Sequence, residues 1–427
     1  MDYASFVAAR KRIKGMKQNK IRALFTPTNL LIALCWLVYM CSYLGKLGYN
    51  ANITQIEEEF SLSHSTTGVV STFFFFAYGI GQIFNGIFCK KYNVRFVVFG
   101  SLIVSGLMNL LVGLSDNFTF VKYFWLVNGA ALSVLWSSLI RLLSETLDKE
   151  SIGKAVVAMG TTVATGTFLV YGLSALFVGI GHYVLMFFLA GILLPAIALL
   201  WILSYPKLVK KPAKTEEDGG QVRVEDKKQQ KIGWLWVPII LLAIFAIFDN
   251  LTKDGLTTWV PMILKETYEL PDYISILLTM LLPILAIFGV SVAVALRKKI
   301  KDFTTLSGVL FVVSAIFIGL VILCMPTGWF VLTLGCFGVV SCLMAGVNNI
   351  ITSMAPLYWK DKVNSGLLAG VLNGFCYLGS TLSAYGLGLI AELGGWDVVF
   401  WLLFSLCAAA ALISAVYTVV KLCRKKN

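Results

Sequence analysis

The sequence predicts an all-α membrane protein of twelve transmembrane helices arranged as two pseudo-symmetric six-helix bundles. Hydrophobic residues make up 58% of the 427 and charged residues only 13%, about half the charged share of a soluble domain. With a mean hydropathy of +0.83, too little polar surface is left to cover a water-facing core. Apolar runs long enough to cross a bilayer recur along the chain, and they lack the ten-residue alternation of a membrane barrel, so the spans are helices that satisfy their own backbone. Two landmarks in the first half also recur 207 residues later.

Windows of about 20 apolar residues place spans near 28–50, 65–89, 96–115, 122–145, 154–180 and 184–204, then near 234–259, 274–297, 304–325, 329–358, 365–391 and 398–422. Spans 4 and 10 are long enough to tilt or protrude. The expected organisation is a basic arm (1–27), an N-terminal bundle (28–204), a polar, charged linker (205–233), a C-terminal bundle (234–422) and a short tail (423–427). The arm is polar and basic without an apolar core, so it is no cleaved secretory signal and the first span directs insertion.

The formal charge of +13 reads as topology rather than as nucleic-acid binding, because 30 of the 35 Lys and Arg residues fall in the arm, the tail and the loops on one face. Lys122 and Lys265 sit in loops on the other. The positive-inside rule makes the basic face cytoplasmic and puts both termini inside a cell (inner) membrane. The nine cysteines lie almost entirely in apolar stretches without metal spacing or loop pairs, which argues against disulfides and zinc. With no phosphate loop, nucleotide fingerprint or catalytic set, neither an enzyme nor a cofactor is expected.

The landmarks that repeat are the basic loops beginning at Lys90 and Arg297 and the span-embedded lysines Lys46 and Lys253, each pair 207 residues apart. This offset indicates two six-span halves in parallel repeat, a build that binds substrate between the halves. The segment Gly86-Ile-Phe-Cys-Lys90-Lys91-Tyr-Asn93-Val-Arg95 resembles the loop signature of the major facilitator superfamily, with Lys90 in place of its acid. Asn93 stands in place of the signature's glycine and tolerates the left-handed turn that glycine supplies.

Within that superfamily the chain resembles the organophosphate:phosphate antiporter branch. The pieces are Tyr43-Leu-Gly-Lys46, Ala77-Tyr78-Gly79, Lys253-Asp-Gly255 through Trp259-Val-Pro261, and Ser365 through Tyr377-Leu-Gly379 to Gly395-Trp396-Asp397. The resemblance implies a secondary transporter, with Lys46 and Lys253 at the positions of the branch's phosphate-holding arginine pair. The branch's span-5 histidine falls at Val163, and the two histidines here, His64 and His182, lie in or near loops of the non-basic face.

Independently of any family, a lysine inside a span costs about 2.5–3.5 kcal/mol on insertion scales and is a functional candidate by default. Tyr39, Tyr43, Lys46 and Asn50 fall on one helical face. In span 7, Asp249 and Lys253 are one turn apart, with Asp254 beside them, so either carboxylate could balance charge or take a coupling proton. The alternative is that both lysines snorkel to the headgroups at the ends of their helices. Tyr78, Gln82 and Asn85 form a stripe in span 2, as do Asn373, Tyr377 and Ser380 in span 11; each reads equally as cavity lining or as interhelical hydrogen bonding. Asn348, Asn349 and Thr352 of span 10 are weaker candidates, and Gly366, Gly370 and Gly374 suit close helix packing. Arg141 and Glu145 are spaced for an ion pair at the inner end of span 4, either a gate or an interface anchor.

These readings converge on a transporter, monomeric in the bilayer, that moves a small organic anion by alternating access. The anion is a phosphate ester or a sugar acid, and exchange is favoured over proton symport. A membrane sensor of sugar phosphate is the rival from another class.

Overall fold

The computed structural model describes residues 26–88, 92–209, 233–359, 362–363 and 365–426. The basic arm, most of the linker and the Lys90–Lys91 pair lie outside the described residues. Span 1 is Pro27–Ala51; it breaks at Asn52 and resumes as Ile53–Phe60. Its start is marked by Thr26, whose hydroxyl accepts from the Asn29 amide at 3.3 Å, and by proline at the first helical position, where a missing N–H costs nothing. Span 2 is His64–Phe88, span 3 Val94–Gly113, span 4 Phe118–Leu132 with Leu135–Thr146, span 5 Lys149–Gly179 and span 6 Leu185–Leu208.

In the second half, span 7 is Trp236–Tyr268, span 8 Asp272–Thr279 with Leu281–Arg297, span 9 Phe303–Cys324, and span 10 Phe330–Asn349 followed by a π-helical turn, Ile350–Met354. Spans 11 and 12 run through Ser365–Lys426 and part at Gly395. Its φ of +79° is open to glycine and strained for other residues, so this one residue separates the last two spans.

Two local expectations are corrected. Span 7 does not stop before Pro261: the helix continues to Tyr268, because Val260, Met262, Ile263 and Leu264 are all buried and packing outweighs the ladder bond that proline removes. Asn93 adopts no left-handed turn. With φ −80° and ψ 114° it caps span 3, its side-chain oxygen accepting from the Arg95 amide at 3.0 Å.

The two bundles meet through span 2 against span 11 and span 5 against span 8, the pairing a parallel repeat about one axis produces. Residues at matched positions in the repeat therefore touch where the axis passes. Glu58 pairs with Lys265, 207 residues on, and one residue off the repeat Asn50 Nδ2 donates to Thr258 Oγ1 at 2.9 Å. Small residues make the close approaches: a methyl group on Gly68 of span 2 would overlap the Ala384 carbonyl oxygen of span 11. Gly370, by contrast, has open space where a side chain would lie, so that step of the glycine stripe packs against nothing.

Candidate functional site

Span 1 begins and span 12 finishes at the same end of the molecule, the terminal end. Lys46 lies inside the bundle rather than at its edge, because the helical rod continues to Phe60 beyond it. Its ammonium is ringed by three tyrosines, with the ring centre of Tyr78 at 4.5 Å, Tyr43 at 5.5 Å and Tyr377 at 5.8 Å. Tyr377 belongs to the opposite bundle, and its ring centre is 4.8 Å from that of Tyr78. A cation over aromatic faces gains about 0.5–2 kcal/mol. The tyrosines can thus hold the charge in place without neutralising it, and no described carboxylate forms an ion pair with Lys46.

Lys253 stands midway along span 7 in a polar knot. Its Nζ donates to Asn250 Oδ1 at 2.9 Å and lies 3.4 Å from Asp254 Oδ1. Asn250 Oδ1 also accepts from Asn348 Nδ2 of span 10 at 3.3 Å. The other oxygen of Asp254 accepts from the Ser380 hydroxyl of span 11, so spans 7, 10 and 11 of one bundle meet around this lysine. Asp249, the carboxylate expected to offset it, is fully buried and accepts instead from Asn250 Nδ2 at 3.2 Å; its Oδ1 has no partner.

The remaining candidates divide. The Tyr39 ring centre packs 4.7 Å from that of Trp136 and 5.7 Å from that of Tyr43, continuing the aromatic wall toward the terminal end. Gln82 and Asn373 are half-buried on spans 2 and 11. Asn85 serves as interhelical bonding, joining Ser137 and the Val134 carbonyl of span 4. Arg141 Nε donates to Glu145 Oε1 at 2.8 Å, and the guanidinium also reaches the Tyr92 carbonyl at 3.4 Å. The expected ion pair is therefore present.

Bonds between the bundles gather toward the far end. Besides Asn50–Thr258 and Glu58–Lys265, Tyr171 Oη donates to the Thr257 carbonyl at 2.8 Å, Thr72 Oγ1 to the Thr381 carbonyl at 3.1 Å, and the Ser65 amide to Glu392 at 3.3 Å. This end is closed. His64 opens span 2 within this seal, its Nδ1 2.7 Å from Glu57 Oε1 and its Nε2 3.5 Å from Glu266 Oε1 of the other bundle. Nothing in the sequence marks His64 or Glu266, whose pairing spans some two hundred residues and follows no helical spacing.

Two six-helix bundles meeting around embedded charge and sealed at one end define a transporter that works by alternating access, not an enzyme. The chain belongs to the Major Facilitator Superfamily, whose sequence profile matches residues 35–365. It is 22% identical over 404 residues to a probable hexose phosphate transport protein of Chlamydia pneumoniae, covering 88% of this chain and 87% of that protein. It is 23% identical over 412 residues to the membrane sensor protein UhpC of Salmonella typhimurium, covering 91% and 89%. In fold it matches a bacterial homologue of the human lysosomal transporter Spinster in an inward-facing, occupied conformation, with a TM-score of 0.68, 15% identity, and 92% and 94% of the two chains covered.

Proposed function

We propose that the protein exchanges small organic anions, phosphate esters or sugar acids, across a cell (inner) membrane, and that the anion binds between Lys46 and Lys253. The observation that carries this reading is the Lys46 ammonium, enclosed by tyrosines of both bundles and, among the described residues, ion-paired to no carboxylate. An anion arriving there supplies the missing charge, draws the bundles together around it, and gives exchange a physical cause. Tyr39, Tyr43, Tyr78, Gln82, Asn373 and Tyr377 line the path, Asp254 and Asp249 balance charge, and Arg141 with Glu145 guards the terminal end. The protein acts as a monomer of two bundles, 28–204 and 234–422, with both termini and the linker cytoplasmic and the far end outside. Similarity to a hexose phosphate transport protein supports the substrate class.

A direct binding titration with glucose 6-phosphate and glucuronate on Lys46→Gln and Lys253→Gln tests the reading. Each variant should lose at least a hundredfold in affinity, about 2.7 kcal/mol, while remaining folded. Near-normal affinity in both variants would overturn it. A second reading, a membrane sensor of such anions, is favoured by the likeness to UhpC; it predicts binding without flux in proteoliposomes.

A further inference from the structure

The far-end seal contains a titratable cluster that substrate binding does not use. His64 belongs to the N-terminal bundle, as does Glu57, whereas Glu266, Trp259 and Trp396 belong to the C-terminal one. The imidazole is packed by the two indoles, with ring centres at 5.9 Å for Trp259 and 5.5 Å for Trp396. Trp396 Nε1 donates to Glu266 Oε2 at 2.7 Å and fixes that carboxylate against the ring. The remaining acid at this contact is Glu392 of span 11, which accepts from the Ser65 amide. The neighbouring cation, Lys265, is engaged by Glu58 and by Asp272 at 2.8 Å; Asp397 follows Trp396 in sequence. Every charged group turned on His64 is thus an acid.

Both ring nitrogens face a carboxylate oxygen. A neutral imidazole has one N–H and presents a lone pair at the other nitrogen, so it can satisfy one of the two acids; only the ring with hydrogen on both nitrogens serves both. Ligand atoms of Glu57, His64 and Glu266 lie within 4.8 Å of one another, close enough to raise the question of a metal ion. The two acids, however, stand at opposite nitrogens of one ring, Glu57 at 2.7 Å from Nδ1 and Glu266 at 3.5 Å from Nε2, and a hydrogen on each nitrogen answers both at once. The arrangement suits a proton.

We propose that His64 is a proton-operated clasp. With hydrogen on both nitrogens it ties Glu57 of one bundle to Glu266 of the other and holds the far end shut; the loss of one proton to water at that end breaks the tie and lets the end open. A proton bound more tightly by the closed form makes closure less favourable as pH rises.

The test is a distance measurement between spin labels on the full-length protein, at Asp116→Cys and Thr327→Cys, both exposed at the far end on opposite bundles, in a background lacking the native cysteines. In the parent, the short distance should hold below about pH 6.5, the ordinary histidine value, and the long-distance population should grow from minor to major as pH rises above it, because the closed form binds the proton more tightly. His64→Gln should show the long distance at every pH, and His64→Arg, permanently charged and able to reach both acids, should show the short distance at every pH. A parent distribution independent of pH would overturn the proposal, as would a His64→Gln variant that keeps the parent's pH response. Gln and Arg displacing the distribution in the same direction would also overturn it, because that outcome marks a packing role.

Discussion

Asp254, and not Asp249, is the carboxylate that touches Lys253: its Oδ1 stands 3.4 Å from the ammonium, whereas Asp249 is fully buried and bonded to Asn250. Helical spacing favours Asp249, one turn before the lysine. Asn250 changes the outcome, since its amide donates to Asp249 and its carbonyl oxygen accepts from Lys253, standing between the two charges.

Removing the charge of Asp254 should therefore alter anion binding more than removing that of Asp249. With Asp254→Asn, Lys253 no longer shares its charge with a resident acid, and affinity for an anion should rise about tenfold, roughly 1.4 kcal/mol. Isothermal titration of both variants with the same anion checks this. Equal effects of Asp254→Asn and Asp249→Asn would show that the contact does not govern the site.

The tyrosine cage makes a second prediction, which separates ring from hydroxyl. Tyr78→Phe keeps the face that Lys46 lies over at 4.5 Å, so affinity should stay within about threefold. Tyr78→Leu removes a cation–π contact worth about 0.5–2 kcal/mol and should weaken binding by between about twofold and thirtyfold. A hydroxyl-mediated role would give the opposite order, with Phe as damaging as Leu.

The two lysines were legible in the sequence because a charge inside an apolar run is costly and its position is countable. The fold was legible for the same reason: twelve runs, a basic face and a repeated offset depend only on local composition. What surrounds the lysines was not. Tyr377 reaches Lys46 from a helix more than three hundred residues away, and the face that carries Tyr39, Lys46 and Asn50 meets Trp136, Tyr78 and Thr258, partners that no local spacing names. Periodicity reports which side chains share a face and is silent on what that face meets. His64 illustrates the limit most sharply, since its role depends on Glu266 in the other bundle and its local sequence is that of a loop ending in a helix.

Asp302, in the turn before span 9, supplies a prediction about stability. Burial raises the pKa of its carboxyl, but bonds from Lys421, the Thr305 amide and the Thr305 hydroxyl outweigh that and hold it below the usual value. A depressed pKa in the folded state gives stability that is present above the ordinary carboxyl range and lost as pH falls through the folded value. Asp302→Ala should lower Tm in detergent at pH 7 by an amount matching about 1 kcal/mol for the lost cap, the exposed Lys421 pair adding little. The gap between variant and parent should close below about pH 4, the ordinary aspartate pKa; a constant gap down to pH 3 would exclude the carboxylate as its source.

Two glycines distinguish packing within a bundle from packing between bundles. A methyl on Gly289 would overlap the Cys342 carbonyl oxygen of span 10, inside the C-terminal bundle, while one on Gly68 would overlap the Ala384 carbonyl oxygen across the seam between bundles. Forcing a helix pair apart within a bundle has no relief, so Gly289→Ala should destabilise the fold by about 1–3 kcal/mol, read as a lower Tm. Gly68→Ala can be relieved by the rocking motion that transport uses. It should leave Tm nearly unchanged and displace the equilibrium toward the far-open state, read as faster thiol labelling of Ser65→Cys, which is buried in the closed form. If Gly68→Ala lowers Tm as much as Gly289→Ala without faster labelling, the seam is a fixed interface and the two bundles do not part there.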